Sequence, residues 1–204
     1  MSNIITYDYF INDVNIPYSD STMKTRLTNA ITRFEEECLR ALFGDKLYDA
    51  FITGLAVTPT PDAKWTNLRD GGVTFNILLN GETIQKTWKG LNGGTSKKSL
   101  IAYYVYCKFR NANETFFTGV NQAKGSSENT EVAEYKPIIS ERWNQFVRMY
   151  GQIPYDVFTA TPFAPVADTF YYDEASAYNF LMANITTYTD WRFTAKDLIN
   201  EYGI

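Results

Sequence analysis

The side chains best suited to chemistry in this sequence are carboxylates. Glu35, Glu36 and Glu37 are consecutive, and Asp45 and Asp49 stand four residues apart. Pairs such as Glu35/Glu36 or Asp45/Asp49 would supply the acid and base of glycoside hydrolysis if they faced each other across a cleft. Three adjacent carboxylates fan around a helix, however. With Arg33 and Arg40 beside them they read first as a solvated or interface face rather than a metal site. The run Gly93-Gly94-Thr95-Ser96-Lys97-Lys98 precedes a helix and could hold an anion there. It lacks the Walker spacing, and a turn with solvated lysines is the simpler reading. Tyr103, Tyr104, Tyr106, Lys108, Phe109 and Arg110 combine rings and cations as single-strand binders do, but their helical spacing sends most of the rings to a core.

Composition removes other chemistries. The 204-residue chain has no histidine, which excludes a Ser-His-Asp triad, a Cys-His pair and imidazole ligation of a metal. Its two cysteines cannot build a structural zinc site alone. Cys38 and Cys107 each lie in an apolar helical stretch and read as small buried hydrophobes rather than a disulfide. Nineteen Lys and Arg against 23 Asp and Glu give a net charge of −4, the wrong sign for gripping phosphates. Mean hydropathy is −0.30, and no apolar run approaches the length of a membrane span. The N-terminal residues have neither the basic nor the apolar region of a signal peptide, so the sequons at Asn113 and Asn184 read as chance.

The elements that must position these groups are mostly helices. Asp20, Ser21 or Thr22 can cap a first helix whose stripe is Leu27, Ile31, Phe34, Cys38 and Leu42, with Gly44 as its stop. Asp45 opens a second, with Leu47, Tyr48 and Phe51 inward. A Pro-rich loop follows, then a stretch rich in β-formers in which Asn80-Gly81 predicts a hairpin near 73–79 and 82–88. Ser96 or Ser99 starts a third helix that is apolar nearly all round, hence central or shared with a neighbouring subunit. Residues 112–130 read as a long polar loop, and 131–150 as a fourth helix in which Pro137 marks a kink or a late start. Residues 151–172 carry three prolines and read as an extended strap, and Asp173 as the cap of a last short helix.

The fold class is therefore mainly α: a helical bundle of about four to five helices with an inserted β-hairpin and extended N- and C-terminal arms. Residues 1–150 form the body, with the hairpin near 73–88; residues 151–204 supply a strap, a short helix and a docking tail. Residues 1–19 read as an extended arm or edge strand. The 15 Tyr, 14 Phe and 4 Trp exceed what the helical stripes use, and the surplus sits in the N-terminal arm, the strap and the tail. Either it wraps this chain's own body or it faces partners.

Several stretches together resemble one family. RFEEECLRALFGDKLYDAF (33–51) is similar to the helix–Gly–helix near the start of tailed-phage head–tail connector proteins, the adaptors under the portal. KWTNLRDGG, WKGL and SLIAYYVYCKFRN resemble the version in phages of Bacteroides-type hosts, including the crAss-like phages. So do TGVNQAKGSSENTEVAEYKPIISERWNQFVRMY and the closing INEYGI, and the resemblance spans roughly 30–204. It implies a virion structural protein without catalytic activity or cofactor, a subunit of a homo-oligomeric ring, by resemblance a dodecamer, around the DNA channel. The ring would join the portal protein to the next neck or tail ring, in the virion neck after assembly in the host cytoplasm. DNA would pass an acidic lumen without sequence-specific binding.

Partner binding would fall to Thr118, Gly119 and Val120 in the loop and to Trp191, Phe193, Tyr202, Gly203 and Ile204 in the tail. Removing 188–204 would then leave the body folded and abolish assembly. The hairpin and strap are larger than a minimal connector needs, which keeps a stopper or tail-completion neck protein as an alternative. A small soluble enzyme with carboxylate chemistry is the alternative of another class.

Overall fold

Helix α1 (Ser21–Phe43) buries Leu27, Ile31, Phe34, Cys38, Leu39 and Leu42 along one stripe, as the spacing predicts. The computed structural model describes residues 3–17, 21–79, 82–113, 115–117, 122–124, 136–151 and 175–197. At the end of α1, Gly44 takes φ +74°, a conformation that suits glycine, and α2 (Asp45–Leu55) begins at the next residue. A side chain at Gly44 would also strike Arg192, which passes 2.8 Å from the place of its Cβ.

A third helix, α3 (Ala63–Asp70), occupies what read as the start of a β-rich stretch. The Asp62 side chain accepts from the Lys64 amide at 3.0 Å, and Trp65 and Leu68, three apart, point into the core. Its packing against α2 depends on Gly54, where any Cβ would overlap the Trp65 indole. Gly54→Ala therefore should not show the usual gain of about 1 kcal/mol from helix propensity. We expect a loss of about 1–3 kcal/mol, read by urea denaturation, because Trp65 must leave its site.

Strands β1 (Thr74–Leu79) and β2 (Glu82–Thr87) pair antiparallel, from Thr74 opposite Thr87 to Leu79 opposite Glu82, as the Asn80-Gly81 signal predicts. The cover that this hairpin needs comes from the helix Ala177–Ala183, which is α6 in chain order. Phe180 meets Phe75 edge-on at 5.4 Å and stacks on Trp88 at 5.0 Å. Ser176 caps α6, its Oγ accepting from the Asn179 amide; the expected cap, Asp173, lies outside the described residues.

Helix α4 (Leu100–Asn113) is central. Every residue from Leu100 to Cys107 is buried, and the helix packs against α1 and α5 (Lys136–Tyr150). Ser99 starts it: the fully buried hydroxyl donates to the Leu91 carbonyl at 2.7 Å and accepts from the Ile101 amide. Pro137 falls in the first turn of α5 as described, a position that needs no backbone N–H. Within the expected polar loop, β3 (Thr115–Phe117) and β4 (Gln122–Lys124) pair as a second, smaller hairpin. Cys38 and Cys107 are buried free thiols.

The N-terminal arm is not an edge strand. It makes two 3-10 turns, Tyr7–Tyr9 and Asn12–Val14, and buries Ile5, Phe10, Val14 and Ile16 in the common core. Its apolar residues do not alternate, so no single strand face could bury them. Side chains of the body hold it in place: Tyr103 donates to Asp13 at 3.0 Å and Arg142 to the Asp13 carbonyl at 2.8 Å.

Beyond α6 the chain returns across the α1–α2 corner. Tyr188 is buried and donates to the Lys64 carbonyl. The Trp191 indole donates to the Leu42 carbonyl, the Arg192 amide to Phe43, and the Thr194 amide to Ala41. The described protein is thus mainly α, six α-helices with inserted hairpins, and residues 175–197 share the core of the body. No described helix is long and apolar enough to cross a membrane.

Candidate functional site: the carboxylates, the tail and the groove beside α4

The carboxylates weighed for chemistry are engaged in structure. Glu36, Asp45 and Asp49 converge on Arg40, at 2.8, 2.8 and 3.5 Å, and its guanidinium lies over the Tyr48 ring. This clasp ties the end of α1 to the start of α2 and leaves none of these three facing a cleft. Glu37 accepts from the Tyr104 hydroxyl at 2.5 Å and from Lys108 at 2.9 Å. Burial pushes its carboxyl up, but those two donors outweigh the burial and hold it below the usual range.

Glu35 departs most from the solvated face that the sequence suggests. It is 7% exposed, and its two oxygens accept from the Ile4 amide at 2.9 and 3.1 Å and from the Ile5 amide at 3.1 Å. Burial raises its pKa to about 7, against a smaller lowering by the amides. It gives the N-terminal arm a hydrogen-bond acceptor where water cannot reach, since Ile5 is fully buried. Lys97, weighed as an anion holder, pairs with Asp8 at 3.0 Å. Among the described residues no group of His, Cys, Asp and Glu is arranged to hold a metal ion.

Of the expected partner-binding residues, Thr118, Gly119, Val120, Tyr202, Gly203 and Ile204 lie outside the described residues. Trp191 and Phe193 are half-buried on this chain's own body. Phe193 lies 5.0 Å from Tyr150, 4.9 Å from Tyr178 and 6.0 Å from Trp191. From Tyr150 the rings continue through Phe146 to Tyr104 and Trp143. The described part of the aromatic surplus thus packs on the body, with Tyr7, Tyr9, Trp191 and Phe193 each left partly exposed. This packing argues against the expectation that everything from 188 onward is dispensable for folding.

A groove lies beside the last turns of α4, where the sequence gives no sign of one. Cys107, Lys108 and Asn111 of α4 face Ile139 and Trp143 of α5 across a cavity of about 230 Å³. The Trp143 indole donates to the Asp197 carbonyl at 2.8 Å, so the described tail ends at the rim of this groove. Trp143 belongs to the α5 stripe, but nothing in the spacing reveals that α4 and α5 part at this level. At the same end α4 runs on from Asn111 into β3, whose connection to β4 holds Thr118, Gly119 and Val120. Compared with models of known protein families, with curated proteins and with solved structures, the chain matches none.

Proposed function

We propose that this protein is a virion structural protein, a subunit of a head–tail connector ring that joins the portal to the tail and lines the DNA channel without catalytic activity. The reading rests on the resemblance across 33–51, 64–72, 99–111 and the closing residues. One observation supports it beyond the sequence. The last turns of α4, which precede the loop of Thr118, Gly119 and Val120 in the sequence, and Asp197, after which the expected docking residues follow, both lie beside the α4–α5 groove.

Ring contacts are heterologous and close on themselves, so one flank of the protomer should complement the other. The net charge of −4 would keep DNA phosphates from adhering to the lumen.

Mass measurement and negative-stain imaging of the purified chain, alone and mixed with portal protein, test this. Closed rings, or a stable complex with portal, are the expected result. A monomer that ignores portal at about 10 μM, well above the Kd of stable assemblies, counts against the reading.

A further inference from the structure

We propose that a second groove, between α1 and α4, is a docking site for an acidic segment of a partner protein, whether or not the chain is a connector. The segment carries two carboxylates about 10 Å apart with apolar side chains between them.

The cations come from one half of α1. From Ser21 to Phe34 the helix carries Lys24, Arg26 and Arg33 and no acid, and the three glutamates follow at once at 35–37. On a chain of net charge −4 that half is a local cationic face. Arg26 and Arg33 both line the groove, a cavity of about 300 Å³, and no carboxylate lines it with them. Seven residues separate the two arginines, about 10 Å along the helix. Arg33 is exposed, and among the described residues its guanidinium meets only the Phe34 ring, at 5.2 Å.

The floor decides the class of occupant. Phe34 of α1 and Phe109 of α4 are buried beneath the groove, and Ala30 and Ala112, one from each helix, are too small to close it. A nucleic-acid backbone has nothing to set on two phenyl rings, and the net charge of the chain repels it. A peptide sets apolar side chains over the rings and its flanking carboxylates on the arginines, whose planar guanidinium groups match a carboxylate. Three steps of extended chain span about 10 Å, so carboxylate–apolar–apolar–carboxylate is the spacing that fits.

A second copy of this chain fits less well. Among the described residues every carboxylate except that of Asp197 already has a hydrogen-bond or ion-pair partner. A partner with unengaged carboxylates gives up nothing to bind here.

Fluorescence anisotropy of the full-length chain with a labelled peptide, Gly-Asp-Leu-Phe-Asp-Gly, tests this. We expect a Kd of about 100 μM or tighter, and binding at least about tenfold weaker when Ser replaces the Leu and Phe or Lys replaces both Asp. Arg33→Gln should weaken the peptide about fivefold. Ala112→Glu, which puts a competing carboxylate on the opposite wall, should weaken it about tenfold. Both positions are exposed, so both variants should melt as the wild type does. Equal affinity for the three peptides overturns the proposal, as does an affinity unchanged in either variant. Tighter binding of an oligothymidylate of about twelve nucleotides, weakened by Arg33→Gln, also overturns it, because the groove then takes nucleic acid. So does wild-type self-association that both variants abolish, because the occupant is then a second copy.

Discussion

Ending the chain after Thr187 is expected to abolish its cooperative thermal transition, whereas ending it after Asp197 should lower Tm by less than about 8 °C. The first truncation removes Tyr188, which is buried, and Trp191 and Phe193, which are half-buried. Burial of such side chains contributes about 1.5–3 kcal/mol each when complete. It also removes the donors to Ala41, Leu42, Phe43 and Lys64, and it strips Tyr150 of the Thr194 carbonyl that its hydroxyl meets at 2.7 Å. Each lost bond costs about 1 kcal/mol, and more where a buried partner is stranded. The total, roughly 5–10 kcal/mol, is comparable to the whole stability of a typical domain. The second truncation keeps every one of these contacts, and Tm of a chain this size falls by about 2–4 °C for each kcal/mol lost. Near-UV circular dichroism with thermal melts checks both. A chain ended at Thr187 that still melts cooperatively above about 45 °C would show that the tail is not part of the core.

Stability should fall as pH rises from about 5 to 7.5, and Glu35→Gln should flatten that slope. In the folded protein the Glu35 carboxyl holds its proton up to about 7, against an ordinary value of 4.5, because burial opposes the charge. Between those two values the unfolded chain has released the proton and the folded chain has not, so the folded state binds more protons and loses stability with increasing pH. At about 1.4 kcal/mol per pH unit the ceiling is roughly 3 kcal/mol. Cys38, one helical turn away, and Tyr48 of α2 both feel the Glu35 charge, and both keep their protons through this range. The Glu35→Gln amide would retain a carbonyl to accept from the Ile4 and Ile5 amides while having nothing to titrate. Urea denaturation of both proteins at about pH 5, 6, 7 and 8 isolates the group from the general effect of net charge. If the wild type gains on the variant as pH rises, the assignment fails.

Periodicity carries the helices whose cores are local. The stripe of α1, Gly44, the limits of α2, the Asn80-Gly81 hairpin and the central character of α4 are all legible, because side-chain spacing and turn chemistry decide them. What stays hidden depends on partners far along the chain. Helix α3 has a weak stripe, only Trp65 and Leu68, and it forms because Gly54 opens a seat for the indole. Glu35 reads like Glu36 and Glu37 until the amides of residues 4 and 5 arrive. The tail reads as a segment that must dock, but composition cannot say that its first half docks on α1, α2 and α5 of its own chain. The α4–α5 groove is not legible at all, since it is a gap between two stripes that each look complete.

The tail's hydrogen bonds to Ala41, Leu42 and Phe43 also set an order of events. These are the last carbonyls of α1, which have no partners within their own helix. They wait for residues made far later, Trp191 lying 149 residues beyond Leu42. On the ribosome, at about 5–20 residues per second, the first helix is finished many seconds before anything can close its end. Closure of the end of α1 therefore waits for residues 191–194 and is made over a long loop. A closure over so long a loop is slow relative to bundles built from local contacts, and until it is made only water can meet the last carbonyls of α1.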